Sequence, residues 1–333
     1  MPESLESLSP NLVENAGFDF ELVRLLFRLE ALEPLILPPE NKGNVLRGAF
    51  GTVFKQLCCG TACSRCSQSP MRDHCAYAAI FEPSPPPGSD RLRNLQDIPR
   101  PFVFRPPVDT RTRYERGEIF EFELLLFGRA QEYLAYFIVA FRELAETGFG
   151  IGRGRCRLKH VAAALNGGDG EDEIYSSETQ CVRPPSRILR AASIMKSSEP
   201  ATRVQIDYLT PTEIKYQGVT VESPEFHHLI KRLRDRINAI AWFYAGKVLD
   251  IDYAEFGSRA ENVRTVEANV RWTNRERLST RTRHRHPIGG FVGRVTYAGN
   301  IDDYAPLLRL GELVHVGKHA VWGNGRFEVR LLE

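Results

Sequence analysis

The chain has 333 residues, of which 42% are hydrophobic and 26% charged, with a formal net charge of +2 and a pI near 8.1. That length favours about two domains with real apolar cores, and the small net charge neither demands nor excludes a nucleic-acid partner. No apolar run approaches the ~20 residues of a membrane span. The acidic start MPESLESLSPNLVENAG does not read as a signal peptide, so a cytoplasmic protein with no membrane partner is expected.

In chain order, FDFELVRLLFRLEAL from Phe18 reads as a strand. NVLRGAFGTVFKQL follows as a helix. Leu46, Phe50, Val53, Phe54 and Leu57 share one face, Asn44 is placed to cap its start and Gly60 to end it. A cysteine-rich insertion spans 58–75, and a proline-rich loop spans 82–112 with PFVF as a strand inside it. GEIFEFELLLFG is a strand. RAQEYLAYFIVAFRELAETG is a helix whose stripe runs Leu134, Phe137, Ile138, Phe141 and Leu144 up to Gly148. RCRLKHVAAAL is the next strand, and the acidic, glycine-rich stretch after it reads as an exposed linker over 166–198.

The same order then returns. RVQIDYLTPTEIKYQG predicts a strand with a hairpin-like tail. SPEFHHLIKRLRDRINAIAWFYAG predicts a helix capped by Ser223, with Pro224 in its first turn and Gly246 at its end. VRTVEANVRW and IGGFVGRVTYAG are strands, IDDYAPLLRLGELV a short helix, and GRFEVRLLE the last strand. Strand, helix, strand, strand, helix, strand is the ferredoxin-like unit. The expected fold is therefore α+β with two such domains in tandem, 1–165 and 199–333.

Four features could carry chemistry. The first is a pair of glycine loops running into strands, FGIGRGRCRL and HVGKHAVWGNGRF. Glycine permits positive φ and close backbone approach, and exposed N–H groups can hold phosphate. Gly150, Gly152, Arg153, Gly154 and Arg155 in one loop, and Gly317, Gly323, Gly325 and Arg326 in the other, are candidate RNA contacts. Tight turns feeding edge strands would use the same glycines. The second is the arginine-rich stretch from Arg264 to His286, with seven arginines against Glu267 and Glu276. Its loop residues Arg281, Arg283, His284, Arg285 and His286 suit phosphate and base contacts, with Trp272 nearby as a stacking surface.

The third is the cysteine cluster. Cys58, Cys63, Cys66 and Cys75 can surround zinc tetrahedrally, or less fittingly hold an iron–sulfur cluster, with Cys59 able to replace Cys58. Four thiolates leave no open position, so such a metal is structural and no catalytic cofactor is expected. The fourth is the histidines, of which His315 and His319 flank Gly317 and Lys318.

Together these residues resemble the RAMP-superfamily endoribonucleases that process precursor CRISPR RNA. IGGFVGRVTYAG followed by LLRLGELVHVGKHAVWGNGRFEV is similar to their C-terminal signature. LILPPENKGNVLRGAFG, CAYAAIFEP, IPRPFVFRPP and FGIGRGRCRL are similar to their N-terminal half. The resemblance implies two ferredoxin-like domains with glycine loops between them. It implies metal-independent cleavage of repeat RNA by 2′-hydroxyl attack, leaving a 2′,3′-cyclic phosphate, and a place beside other CRISPR effector subunits. Well-known members carry a histidine in or near the first helix, whereas NKGNVLRGAFGTVFKQL has none. His315 or His319 is then the candidate base or acid, with Lys318 neutralising phosphate. The competing expectations are a RAMP-type subunit that binds guide RNA without cutting it, and a zinc-stabilised RNA-binding protein outside CRISPR defence.

Overall fold

The computed structural model describes residues 17–332 apart from 41, 60–65, 67–68, 86–97, 166–169, 197–199, 275 and 279–284. The first half contains β1 (Glu21–Ala31), β2 (Leu35–Ile36), α1 (Lys42–Cys58), α2 (Ala76–Phe81), β3 (Phe102–Arg105), β4 (Arg113–Tyr114), β5 (Ile119–Phe127), α3 (Leu134–Thr147), β6 (Cys156–Ala164), β7 (Glu171–Ser176) and β8 (Leu189–Arg190). The second contains α4 (Ala191–Lys196), β9 (Arg203–Thr212), β10 (Ile214–Tyr216), β11 (Val219–Val221), α5 (Phe226–Ala245), α6 (Tyr253–Arg259), β12 (Arg264–Thr273), β13 (Glu276–Leu278), β14 (Arg285–Pro287), β15 (Gly290–Ala298), α7 (Ala305–Val314) and β16 (Phe327–Leu332).

The two main sheets repeat one plan. The first runs β3-β5-β1-β6-β7 and the second β12-β15-β9-β16, with antiparallel neighbours throughout. In each half the first strand is central, flanked by the third and fourth, with the second at the edge. This is the tandem ferredoxin-like fold. No helix among the described residues is long and apolar enough to cross a membrane.

Several local expectations are corrected. Residues 166–198 are not simply a linker, because β7 extends the first sheet beside β6 and β8 pairs with β1. An edge strand buries little, and in β7 only Ile174 and Tyr175 are buried, so its composition reads as exposed. Helix α1 begins at Lys42, which places Asn44 inside the helix rather than at its cap. Helix α5 begins at Phe226, and its cap is Glu225 rather than Ser223. The Glu225 carboxylate accepts from the His228 backbone while the His228 ring accepts from the Glu225 N–H.

The first core is built from phenylalanine. Phe50 of α1 is fully buried, with ring centroids 4.6 Å from Phe141 and 5.1 Å from Phe137 of α3. Helices α1 and α3 are thereby fastened to each other and, through Phe104, to the sheet. Phe50→Ala is expected to cost about 3–5 kcal/mol of unfolding free energy in urea titration. A loss under about 1 kcal/mol would show that the site collapses around the missing ring.

The opposite face of the first sheet is not left to solvent. Leu22, Val103, Leu125 and Phe127 join the second domain's core, which includes Ile237, Ile240 and Tyr244 of α5. The Tyr244 hydroxyl donates to the Pro99 carbonyl at 2.8 Å. The two domains therefore share apolar packing along a continuous seam.

Candidate nucleic-acid interface

The C-terminal glycine loop spans the gap between α7 and β16 and reaches into the first domain. A Cβ on Gly43, in the first turn of α1, would stand 1.8 Å from the Trp322 carbonyl oxygen. Only glycine allows that approach. Gly323, at φ +86°, passes over the Phe104 carbonyl of β3, where an added Cβ would stand 2.7 Å from the oxygen. The loop is also tied to its own domain. Lys318 N–H donates to the Glu213 carbonyl at 3.0 Å, and the Thr210 hydroxyl donates to the Gly323 carbonyl at 2.8 Å.

This docking closes one side of a cleft of about 280 Å³ between the domains. Lys42 and Asn44 at the start of α1 line it, with Asp109, Arg271, Trp322 and Asn324. Lys42 is only 2% exposed, and its ammonium bonds the Asp109 carboxylate and, at 3.0 Å, the Asp109 carbonyl. At the loop's apex, the Lys318 ammonium pairs with Glu213 at 2.7 Å. The His319 ring stacks on Trp322, with centroids 4.3 Å apart and planes 8° from parallel. The loop that completes the cleft wall through Trp322 and Asn324 thus also carries Lys318 and His319.

His315 stands elsewhere. Its ring is fully buried, and Nδ1 donates to the Asn324 carbonyl at 3.0 Å. Burial, reinforced by the Arg105 and Arg326 guanidinium groups, pushes its pKa well below the usual histidine value. Its backbone has φ 62° and ψ 175°, a region that favours glycine. A neutral, enclosed imidazole that pins the loop cannot exchange protons with a substrate in the cleft, so the expectation of His315 as base or acid is corrected. Arg326 faces the seam, where it lines a second cavity of about 290 Å³ with Arg105, Glu123 and Glu328.

The first glycine loop is shaped by packing. A Cβ on Gly150 would meet the Ile36 carbonyl at 2.4 Å, and one on Gly154 the Pro34 carbonyl at 2.4 Å. Arg155 is paired with Glu33, whereas Gly152 and Arg153 are exposed at the tip with positive φ. The two glycine loops therefore touch the same stretch of chain, 34–43, one near its start and the other at its end.

Comparison with known proteins agrees with this architecture. Residues 20–187 match the AF_1859_N N-terminal domain, and residues 206–327 match the family described as CRISPR-associated endoribonuclease Cas6. An uncharacterized protein of Archaeoglobus fulgidus is 30% identical over 94% of this chain and 99% of its own. Among solved structures, a Thermus thermophilus Cas6 matches with TM-score 0.51 and 15% identity, over 94% of this chain and 100% of that one. A Cas6 product complex matches with TM-score 0.52 and 16% identity, over 93% and 99%. A partial Cas6-RT-Cas1–Cas2 complex matches with TM-score 0.56 and 13% identity, over 95% of this chain and 47% of that one.

The C-terminal part of the chain belongs to the Cas6 family, behind an N-terminal domain of the AF_1859 type.

Within this Cas6-like chain, Lys318 and His319 lie on the C-terminal glycine loop, and His315 is withdrawn into the seam. Arg281, Arg283 and His284 lie outside the described residues. Arg285 and His286 belong to β14, which pairs with β13. Trp272 is half-buried against the second core, and its indole N–H donates to Asn274 at 2.9 Å, so its ring is committed to packing. Cys63 lies outside the described residues, whereas Cys58 ends α1, Cys66 is buried and Cys75 leads into α2.

Lys42 and Asp109 escaped the sequence reading. The only available signal was the tripeptide Lys42-Gly43-Asn44 in front of an amphipathic stripe, and Asn44 was sufficient to explain it as a cap. Among the described residues, the one set of three potential metal ligands within 4.8 Å of one another is Glu225, His227 and His228. The helix cap at α5 accounts for their arrangement.

Proposed function

We propose that this Cas6-like protein cuts CRISPR repeat RNA in the cleft between α1 and the C-terminal glycine loop, by attack of a ribose 2′-hydroxyl on the adjacent phosphorus. The new O2′–P bond forms as the P–O5′ bond breaks, giving a 2′,3′-cyclic phosphate and a 5′-hydroxyl. The hydroxyl proton goes to a general base, and the leaving O5′ takes a proton from a general acid. No metal takes part in these bond changes. The observation that carries the reading is the buried Lys42 in a cleft wall that the C-terminal glycine loop completes through Trp322, Gly323 and Asn324.

His319 is the imidazole of that loop placed to move a proton. Lys42 and Lys318 are held by Asp109 and Glu213, and an RNA phosphate competes with those carboxylates for the two ammonium groups. Gly152 and Arg153 at the first loop's tip, Arg285 and His286, and the stretch Arg281 to His284 are proposed to track the RNA backbone. Localisation in the cytoplasm, and association with other CRISPR effector subunits, belong to the same proposal.

The test is cleavage of labelled repeat RNA in EDTA. Single-site cleavage with a cyclic phosphate end is expected, and His319→Ala should slow it by about 10²–10⁴-fold. Full activity of His319→Ala would remove histidine from the chemistry. The burial of His315, together with a first helix that has no histidine, favours one second reading, a subunit that binds the RNA without cutting it. Tight binding with no cleavage by the unmodified chain would establish that alternative.

A further inference from the structure

Helix α1 starts at the cleft and ends in the cysteine-rich segment, where the sequence left the choice between two adjacent thiols open. The geometry separates them. Cys58 is the last residue of α1, half-buried against the first core. A thiol packed there acts as a small apolar group. Cys59, one residue on and outside the helix, turns toward Cys75, with sulfurs 3.5 Å apart.

That separation is far too long for a disulfide, which needs about 2.05 Å. It is close to the ~3.8 Å expected between two thiolates on one tetrahedral zinc with Zn–S bonds of about 2.3 Å. Cys66 is 2% exposed, although the chain beside it is polar. The three sulfurs are not all within 4.8 Å of one another, so closing a shared site requires Cys66 to move inward.

We infer that Cys59, Cys66 and Cys75 supply three of the four donors of a structural zinc ion, and that Cys59 rather than Cys58 supplies the thiolate from the end of α1. Binding displaces one proton from each thiol, so affinity falls as pH is lowered. The ion ties the end of α1 to Cys75, the residue that leads into α2. The segment between them is short and polar, and the metal supplies cohesion that its side chains do not. This inference does not depend on the RNA-cutting proposal, because neither its ligands nor its test involves RNA.

The experiment uses the full chain, with zinc measured by elemental analysis and cobalt(II) as the spectroscopic probe. About one zinc per chain is expected, with thiolate-to-cobalt charge-transfer absorption after exchange. Cys59→Ser should lower zinc affinity at least ten-fold, whereas Cys58→Ser and the exposed Cys181→Ser should retain the metal. If Cys59→Ser does not fold, removal of zinc from the unmodified chain by a chelator still decides. A melting temperature that falls with chelator and returns with added zinc supports the site. A chain purified without zinc and unable to take it up would overturn the inference. So would metal loss in Cys58→Ser but not in Cys59→Ser, an iron–sulfur absorption spectrum, or a Cys59–Cys75 disulfide found by mass spectrometry under reducing-agent-free conditions.

Discussion

Lys42→Ala is expected to reduce the cleavage rate of repeat RNA by about 10²–10³-fold, the usual cost of removing one preorganised charge from a developing oxyanion. The reason lies in how the side chain is held. Its stem is 2% exposed and its ammonium is anchored to Asp109, so the charge is fixed in position before any substrate arrives. A fixed cation in a wall shielded from water acts more strongly on a phosphorane than a mobile surface lysine. Lys42→Ala also leaves the Asp109 carboxylate facing the cleft unpaired, which adds repulsion toward RNA. The double change Lys42→Ala with Asp109→Asn should therefore recover binding but not rate. Single-turnover kinetics at saturating RNA separate the two effects. A Lys42→Ala protein that binds weakly yet cuts at the unmodified single-turnover rate would place Lys42 in binding alone.

Glu123→Ala is expected to be the most destabilising exchange in the seam between the domains, at about 3–5 kcal/mol by urea titration. Glu123 accepts from Arg24 at 2.5 Å and pairs with Arg105 at 3.2 Å, and Arg326 lies within electrostatic reach. Burial works to raise its carboxyl pKa, but Arg105 and Arg24, aided by Arg326, outweigh burial and hold it below the usual range. On the arginine side, burial pushes Arg105 down to about 10 and also lowers Arg326. Without the carboxylate, several enclosed guanidinium groups face one another with reduced compensation.

The pH dependence has a definite sign. A depressed folded pKa contributes stability that is complete above the unfolded value of about 4.3, and that contribution is lost as pH falls through the lower folded value. The unmodified chain should lose stability across that acidic window, and Glu123→Ala should show a shallower slope there. Equal slopes in the two proteins would mean that the seam does not depend on Glu123.

The repeated strand and helix order was legible because each element carries its own periodicity. The stripe from Leu134 to Leu144 became α3, and Gly246, in the left-handed region at φ 65°, ends α5 as its position suggested. Edge strand β7 was hidden because one-sided burial leaves a mostly polar sequence. The glycine loops were located correctly, but their glycines mostly serve close backbone packing, such as Gly43 under Trp322. His315 looked available because it neighbours Gly317 and Lys318 in sequence, yet it belongs to the buried run Leu313–Val316, and the chain reaches solvent only at Lys318. The choice between Cys58 and Cys59 depended on where α1 ends, one residue beyond the reach of a pattern argument.

The amino-acid order by itself determined the local units: two sets of strands and helices, their stops, and the loops rich in glycine, arginine and cysteine. Hydrogen bonding and amphipathic spacing act over a few neighbouring residues, so a linear reading can recover them. Tertiary structure alone decided which side chains meet. Lys42 faces Asp109 and the loop at Trp322, His315 is sealed among arginines, and Glu123 balances Arg24, Arg105 and Arg326, all across long separations in the chain. Those pairings follow from strand register in the first sheet, from long-range chain packing and from the docking of the second domain, which no local pattern encodes.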